Sequence, residues 1–293
     1  MDNVLFLKPY LVHSVWGGSK LSKYNIDIKN YKDIGEAWII SGYEDKSSII
    51  TNGKYKNKTL CEVFKKHKEL FDNYEKDNYP LLVKFLDCND KLSIQVHPIK
   101  KSPKNECWYF LETGKNGNIV YGHKAKTKKQ FADLVKNKEW NKLLNYKKVK
   151  NDDVVFVPSG CLHSLNEHLF VYEVQQAMDL TYRLYDYDRN CRPVHTNEAI
   201  ANTIVPFVET KIRKSKNTIV KSKYFDLVKI VNTKTKKYNF KQARWIQATV
   251  IKGKGLLNNK HKINKGTSFI ISSDFREFTL TGNLTVLISY ITK

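Results

Sequence analysis

The sequence has little cysteine and lacks a long apolar run. The cysteines are odd in number and never spaced C-x-x-C, so neither a disulfide framework nor a thiolate zinc site is predicted. They are Cys61, Cys88, Cys107, Cys161 and Cys191, which we expect to be reduced and mostly buried. No run approaches the roughly 20 apolar residues of a membrane span, and Met1–Val4 lack the start of a signal peptide. These absences predict a cytoplasmic protein.

Acidic residues are also scarce. Lys and Arg total 51 against 29 Asp and Glu, and residues 211–293 hold 19 basic residues against only Asp226, Asp274 and Glu277. Such a segment can bind nucleic acid. The lysines, however, are dispersed among strand-like residues, so we favour compositional drift and do not expect a nucleic-acid partner. A basic surface also favours an anionic, phosphorylated substrate.

Short apolar-rich runs bounded by Gly, Asn, Asp and Pro predict a mainly β protein, an antiparallel sandwich or barrel. The runs are Ala37–Ile40, Leu81–Leu86, Leu92–Val96, Trp108–Leu111, Val154–Val157, Phe170–Val174, Trp245–Ile251, Ser268–Ile271 and Leu284–Ile291. Helical periodicity is absent from most of the chain, so it does not compete with this strand pattern there.

Helical periodicity is confined to a few stretches. Thr59–Phe71 carries a capping-box pattern, in which Thr59 is followed three residues later by Glu62. Thr127–Leu144 predicts a helical insertion at about residues 124–147, and Thr196–Ile204 predicts a third helix.

The segment from Thr210 to Asn217 lacks periodicity and large apolar residues, which makes it the candidate domain boundary. We therefore predict a catalytic domain over residues 1–210 and a smaller β-barrel domain over residues 211–293. Because His261 is the only histidine after residue 210, we expect no metal in the second domain.

A set of metal-ligand residue types lies in the first domain. Gln95 and His97 are two residues apart, so on a strand they share one face. Glu106 follows at the start of another strand, and His163 comes after a strand and a Pro-Ser-Gly turn. Two imidazoles, a carboxylate and an amide oxygen suit zinc. Each residue alone is more often structural, so the prediction depends on the combination.

This combination resembles the two motifs of the cupins. The first motif ends at Gly114, and the second has Asp152 in the place of its first glycine, followed by Pro158, Gly160 and His163. Pro and Gly allow the sharp turn that aims His163 into the barrel. The resemblance implies a cupin-like double-stranded β-helix.

Further segments narrow the resemblance. In order, they are Ser14–Gly18, Gly35–Ser41, Pro80–Asp87, Ser93–Pro98, Glu106–Tyr109 and Thr181–Arg189. Together they are similar to the type I mannose-6-phosphate isomerases of the shorter bacterial kind. The resemblance runs from about Val12 to Arg189 and implies an aldose–ketose isomerase with one divalent metal, expected to be zinc.

Residue by residue, the resemblance implies metal ligation by His97, Glu106 and His163. Gln95 matches the glutamine ligand of the larger family members, whereas some short ones have lysine there. Members of the family have an aspartate directly after the His-Pro pair, whereas this chain has Ile99 there. This departure concerns the rim of the pocket.

The resemblance also implies catalytic and binding residues. Arg183 matches the family's catalytic arginine, while Lys84 and Glu173 match positions that line the cavity. Arg183 and Lys84 are equally able to hold the phosphate, for which a bidentate guanidinium is geometrically apt. From the residues alone, a buried ion pair of Arg183 with Asp186 or Asp188 is the simpler interpretation; the resemblance favours function.

Trp16 is a further candidate, for closing the pocket and contacting substrate. Its neighbours Gly17 and Gly18 are equally well explained by a tight turn.

Isomerisation between mannose 6-phosphate and fructose 6-phosphate moves a proton between C2 and C1 through a cis-enediol. A metal and a fixed cation such as Arg183 stabilise its negative charge. A desolvated carboxylate such as Glu173 has the pKa that a base needs. Two alternatives stay open: another metal-dependent cupin enzyme, such as an iron oxygenase, and a non-catalytic sugar- or nucleic-acid-binding cupin.

Overall fold

The chain is mainly β, as predicted. The computed structural model describes residues 3–100, 102–210 and 217–293, and within these residues the strands form three antiparallel sheets. The strands are β1 (Val4–Lys8), β2 (Tyr10–Gly18), β3 (Ile34–Ile40), β4 (Ile49–Ile50), β5 (Leu81–Cys88), β6 (Ile94–Val96), β7 (Glu106–Glu112), β8 (Asn118–His123), β9 (Leu144–Lys148), β10 (Val154–Val157), β11 (His163–Leu165), β12 (Leu169–Gln176), β13 (Tyr182–Tyr185), β14 (Thr218–Lys221), β15 (Asp226–Asn232), β16 (Lys236–Asn239), β17 (Ile246–Leu257), β18 (His261–Asn264), β19 (Ser268–Ile271) and β20 (Glu277–Tyr290).

The helices are short. They are α1 (Leu60–Lys66), α2 (Lys128–Lys136), α3 (Trp140–Leu143) and α4 (Thr196–Asn202), with 3-10 turns at Lys20–Tyr24, Gly53–Tyr55 and Lys68–Phe71. The capping box is confirmed, because Thr59 Oγ1 accepts from Glu62 N and Glu62 Oε2 accepts from Thr59 N. The second predicted helix is instead divided into α2 and α3, with Lys138 between them at φ +53°. No helix in the described ranges has the length and apolar character to span a membrane.

Two sheets form a barrel in the first part of the chain. One has the strand order β10-β7-β12-β5-β3-β2 and the other β13-β6-β11-β8-β9. Side chains of both sheets, such as Leu86 and Trp108 of the first and Tyr121 and Leu165 of the second, share one apolar cluster. The predicted cupin-like architecture is confirmed, and the space between these sheets holds the candidate site.

Strand β5 is buried on both faces. Val83 and Phe85 enter the core beneath the barrel, whereas Leu86 and Cys88 enter the barrel interior. Burial on both faces explains why the strand is a nearly continuous apolar run. Lys84 and Asp87 are the charged exceptions, with only 5% and 1% of their surfaces exposed.

The third sheet contains the C-terminal strands in the order β14-β15-β20-β17-β19-β1-β4, with β16 on β20 and β18 on β17. It includes β1 from the N-terminus, which pairs with β19. Trp245 packs against Phe64, Phe71 and Tyr79, so the two parts share a core. The division into residues 1–210 and 211–293 stays a prediction, because residues 211–216 of its boundary lie outside the described residues. The closed second barrel stays a prediction too.

Candidate metal centre and active-site pocket

The candidate metal donors come from both sheets of the barrel. His97 follows β6 and His163 begins β11, while Glu106 begins β7 in the opposite sheet. One donor atom from each of the three lies within 4.8 Å of the others, and all three side chains are buried. Pairing of β11 with β6 places His163 beside Gln95. Gly160, at φ +82°, supplies the turn that leads into β11.

Backbone carbonyls fix the tautomer of both imidazoles. Nδ1 of His97 lies 3.1 Å from the carbonyl oxygen of Leu180, and Nδ1 of His163 lies 2.8 Å from that of Cys161. A carbonyl only accepts, so each Nδ1 carries the hydrogen and donates it. Each Nε2 therefore presents a lone pair, the arrangement found in histidine metal ligands.

Both lone pairs face the carboxylate of Glu106. Nε2 of His97 lies 3.1 Å from Oε2 and Nε2 of His163 lies 3.4 Å from Oε1. Nε2 of His97 and Oε2 of Glu106 are buried and have no hydrogen-bond partner. Nζ of Lys104 approaches Oε2 to 3.2 Å, but the lone pair of His97 Nε2 still faces the carboxylate with no hydrogen between them, an arrangement that a cation between the two groups would make favourable. The residues therefore fit a bound metal ion.

A proton is a poor substitute for that cation. Burial, reinforced by Lys104, lowers the pKa of His97 to about 3, and burial also lowers the pKa of His163. For Glu106, burial would raise the pKa, but Lys104, His97 and His163 outweigh it and hold the pKa well below its ordinary value. At neutral pH the donors are thus two neutral imidazoles and a carboxylate, which is the protonation state that metal ligation needs.

Gln95 lies beside these three donors but presents its amide nitrogen, not its oxygen, to His163. Its Nε2 is 3.4 Å from Nε2 of His163, and its Oε1 accepts from Ser93 Oγ at 3.1 Å. Rotation of the amide by 180° would turn Oε1 towards the donors. Sequence and structure therefore bring Gln95 to the site, and its orientation decides whether it is a ligand.

Lys104 also belongs to the site, although the sequence reasoning missed it. Its Nζ lies 3.2 Å from Oε2 of Glu106, and 5% of the residue is exposed. The sequence contained a signal for this residue. On an extended chain, a lysine two residues before Glu106 points to the same face as Glu106.

A pocket of about 340 Å³ opens in front of the donors. Its lining includes Trp16, Glu36, Lys84, Gln95, Lys104, Glu173, Arg183, Arg192 and His195. Since Gln95 contacts His163 and Lys104 contacts Glu106, the metal donors lie directly behind this lining. The structure thus brings all eight predicted site residues to one place.

Three ionisable side chains form a buried row along the pocket. Nζ of Lys84 lies 3.0 Å from Glu36 and 3.7 Å from Glu173. Nε1 of Trp108 donates to Oε2 of Glu173 at 2.8 Å, and Nε1 of Trp38 donates to Glu36 at 2.7 Å. Glu36 lies in a motif recognised in the sequence, yet it was not singled out there.

The carboxylates of this row differ in pKa. Burial and the nearby charge of Glu106 raise the pKa of Glu173 to about 7, with Lys84 opposing the shift. For Glu36, burial also raises the pKa, but Lys84, the hydrogen bond from Trp38 and the charge of Lys104 together outweigh it, and the net shift is downwards. Glu173 is thus able to take up and release a proton near neutral pH.

Arg183 makes no ion pair with any residue that the structure describes. Its Nε is buried without a partner, and no hydrogen bond from its guanidinium to a described residue is present. Asp186 binds two other arginines, and Asp188 accepts from the hydroxyl of Tyr185 at 3.2 Å. The alternative of an Arg183 ion pair with either aspartate is therefore wrong. Burial, together with the charge of Arg192, lowers the pKa of Arg183.

Trp16 lines the pocket and is 3% exposed. Gly17 and Gly18 end strand β2 rather than forming the tight turn considered above. A Cβ on Gly17 would lie 2.5 Å from the backbone of Asp33, and one on Gly18 would lie 2.6 Å from the carboxylate of Asp87. Close approach of neighbouring groups therefore explains both glycines.

Comparison with known families identifies both parts of the chain. The profile described as phosphomannose isomerase type I, catalytic domain, matches residues 4–143. The profile described as mannose-6-phosphate isomerase, cupin domain, matches residues 215–291. His163 and Arg183 lie between the two matches, so their assignment depends on the geometry above.

Individual relatives span nearly the whole chain. Mannose-6-phosphate isomerase ManA of Bacillus subtilis is 31% identical over 98% of this chain and 98% of its own length. Mannose-6-phosphate isomerase of Streptococcus mutans is 30% identical over 99% of each chain. The crystal structure of a mannose 6-phosphate isomerase from Bacillus subtilis superimposes with a TM-score of 0.90 at 33% identity, covering 98% of this chain and 99% of that one.

Proposed function

The chain belongs to the type I mannose-6-phosphate isomerase family, and we propose that it interconverts mannose 6-phosphate and fructose 6-phosphate in the pocket beside Glu106 and Glu173. Membership of the family makes it an aldose–ketose isomerase that acts on a sugar phosphate. The observation that carries the assignment to this pocket is the convergence of two imidazole lone pairs on the buried carboxylate of Glu106.

His97, Glu106 and His163 would hold one divalent metal, with Gln95 as a fourth ligand after rotation of its amide. Two neutral imidazoles with a carboxylate are a common zinc set, which supports zinc over magnesium or calcium. Bound there, the metal supplies Lewis-acid stabilisation of negative charge on substrate oxygens.

Glu173 is suited to move the proton. In the direction of the ketose, its carboxylate takes the proton from C2 as the C1 carbonyl becomes the enediol oxygen. The same carboxyl then returns the proton to C1, while the hydroxyl hydrogen on O2 passes to O1, so that C2 becomes the carbonyl and no proton is gained or lost overall. A pKa of about 7 lets the group accept and release the proton at neutral pH. Lys84 keeps the carboxylate in place through the ion pair at 3.7 Å.

Arg183 is suited to stabilise the enediol. Its guanidinium has no carboxylate partner, so its hydrogens are available to substrate oxygens. Charge that develops at those oxygens in a half-buried site is stabilised more strongly than in water. Trp16, on the pocket wall, would contact the sugar and help to exclude water.

A coupled assay tests this function. Purified protein is assayed with mannose 6-phosphate before and after chelation and after zinc is restored. We expect turnover that chelation abolishes and zinc restores. Oxygen consumption with bound iron and no sugar turnover would instead support the oxygenase alternative. The cytoplasmic location and the lack of a nucleic-acid partner are predictions that other experiments must test.

A further inference from the structure

A buried carboxylate beside the pocket binds two arginines. Asp186 is 2% exposed. Its Oδ1 accepts from Nη2 of Arg192 at 2.6 Å and from Nη2 of Arg189 at 3.0 Å, while its Oδ2 accepts from Nε of Arg192 at 3.0 Å. The contact with Arg192 is therefore bidentate, which fixes the plane as well as the position of its guanidinium.

The chain around Asp186 is a constrained turn. Tyr187 and Asp188 have φ of +54° and +57°, and Arg189 N donates to the carbonyl oxygen of Asp186 at 3.0 Å. These values describe a type I′ turn without glycine, a conformation that is strained for such residues. The turn holds Arg189 against the same carboxylate that binds Arg192.

Arg192 extends from this anchor into the pocket wall. Nε and Nη2 are engaged by Asp186, and Nη1 makes no hydrogen bond to a described residue. Arg192 lines the pocket together with Arg183. The pocket wall thus carries two guanidinium groups, one unpaired and one held by a buried aspartate.

We propose that Asp186 is a positioning residue for substrate recognition: it holds Arg192 so that the free edge of the guanidinium binds the phosphate group of the sugar phosphate. The inference rests on the proposed function, because it concerns the same pocket. It assigns the catalytic work to Arg183 and Glu173 and the phosphate to Arg192. Phosphate is the matching ligand because a planar guanidinium edge binds its oxygens with parallel hydrogen bonds.

Two effects of Asp186 on phosphate binding oppose each other, which makes the inference testable. Its negative charge lies close to the proposed phosphate and repels it, so charge alone predicts tighter binding after Asp186→Asn. Its hydrogen bonds orient Arg192, so positioning predicts weaker binding. An asparagine keeps the size of the side chain but can accept through only one oxygen.

The experiment compares D186N with wild type in the zinc-loaded full chain. We expect the KM for mannose 6-phosphate and the inhibition constant of inorganic phosphate each to rise on the order of tenfold, since a charge-assisted contact is lost. We expect kcat, bound zinc and Tm to change little. D188N is the matched control, because Asp188 is exposed in the same turn and, among the described residues, its carboxylate accepts a hydrogen bond from Tyr185 alone; it should keep wild-type constants.

Several outcomes would overturn the inference. An unchanged or lower KM in D186N would mean that charge, not position, is what Asp186 contributes. Loss of zinc and kcat with an unchanged KM would mean a general structural role. If D186N fails to fold, R192K replaces it, because lysine keeps the charge but loses the bidentate contact, and the same rise in both constants is expected.

Calorimetric titration with inorganic phosphate keeps this inference separate from the proposed function. It needs no turnover, so it is informative even if wild-type protein fails to isomerise the sugar. Wild type without turnover would refute the proposed function. Equal phosphate affinity in wild type and D186N, with normal turnover in wild type, would refute only the role of Asp186.

Discussion

Nε2 of His97 and Oε2 of Glu106 face each other at 3.1 Å inside the barrel, and neither atom has a hydrogen-bond partner. Because Nδ1 of His97 donates to Leu180, Nε2 has no hydrogen to offer. Lys104 Nζ lies 3.2 Å from Oε2, but a cation between Nε2 and Oε2 is what would make their contact favourable, so this pair of atoms is the strongest structural argument for the metal.

Replacement of His163 by alanine is expected to remove metal and activity together. One strong donor of a small set is lost, and the remaining imidazole and carboxylate bind metal weakly. Metal content by atomic emission and turnover in the coupled assay measure both effects. His13→Ala is the control, since 65% of that side chain is exposed. Full turnover with stoichiometric zinc in H163A would refute the site.

Gln95→Ala is expected to weaken metal binding less than H163A does. The amide is a neutral donor, and loss of a supporting group of this kind lowers metal affinity about 10–100-fold. Competition with a chelator of known affinity measures the change. An affinity loss equal to that of H163A would make Gln95 a full ligand, and no loss would remove it from the set.

Arg183→Ala is expected to leave the metal bound while kcat falls about 10²–10³-fold, as for loss of one donor to a developing oxyanion. The guanidinium has no carboxylate partner, so its removal strands no buried acid. Steady-state kinetics with metal analysis tests this. A change in KM alone would make Arg183 a substrate-binding residue instead.

The pH dependence of kcat/KM should report Glu173. As a base it must be deprotonated, so activity should rise with pH through its pKa, raised by burial to about 7. Glu173→Gln should lower kcat about 10²–10⁴-fold. An unchanged profile in that variant would assign the proton transfer elsewhere.

Trp245→Ala should destabilise the whole chain. The indole is buried against Phe64, Phe71 and Tyr79, and its Nε1 donates to the hydroxyl of Tyr79 at 2.9 Å. Truncation of such a residue costs about 3–5 kcal/mol. Chemical denaturation measures the loss, with the exposed Val231→Ala as the control, for which about 0.5 kcal/mol or less is expected. If W245A lost as little stability as the Val231→Ala control, the N-terminal and C-terminal parts of the chain would be only weakly coupled.

Much of the fold was predictable because local pattern determines it. The run Val154–Val157 is strand β10 and Ser268–Ile271 is strand β19, residue for residue. Side-chain alternation on a strand is fixed by backbone geometry, so the sequence alone placed Gln95 and His97 on one face. The order of motifs then indicated the reaction.

Partners that are distant along the chain could not be predicted. Pairing of β1 with β19 brings the N-terminus into the C-terminal sheet, and no local pattern encodes that register. Asp186 binds Arg189 and Arg192 instead of Arg183, although all three arginines are close to it in sequence.

The sequence by itself determined the donor types and their spacing, since His97, Glu106 and His163 stand where strands begin or end. Only the tertiary structure decided the protonation states of these donors and which groups surround them. Carbonyl oxygens of Leu180 and Cys161 fix the imidazole hydrogens, and burial sets the pKa of Glu173. The physical reason is that strand geometry is local, whereas desolvation and hydrogen bonding depend on which distant segments the packed sheets bring together.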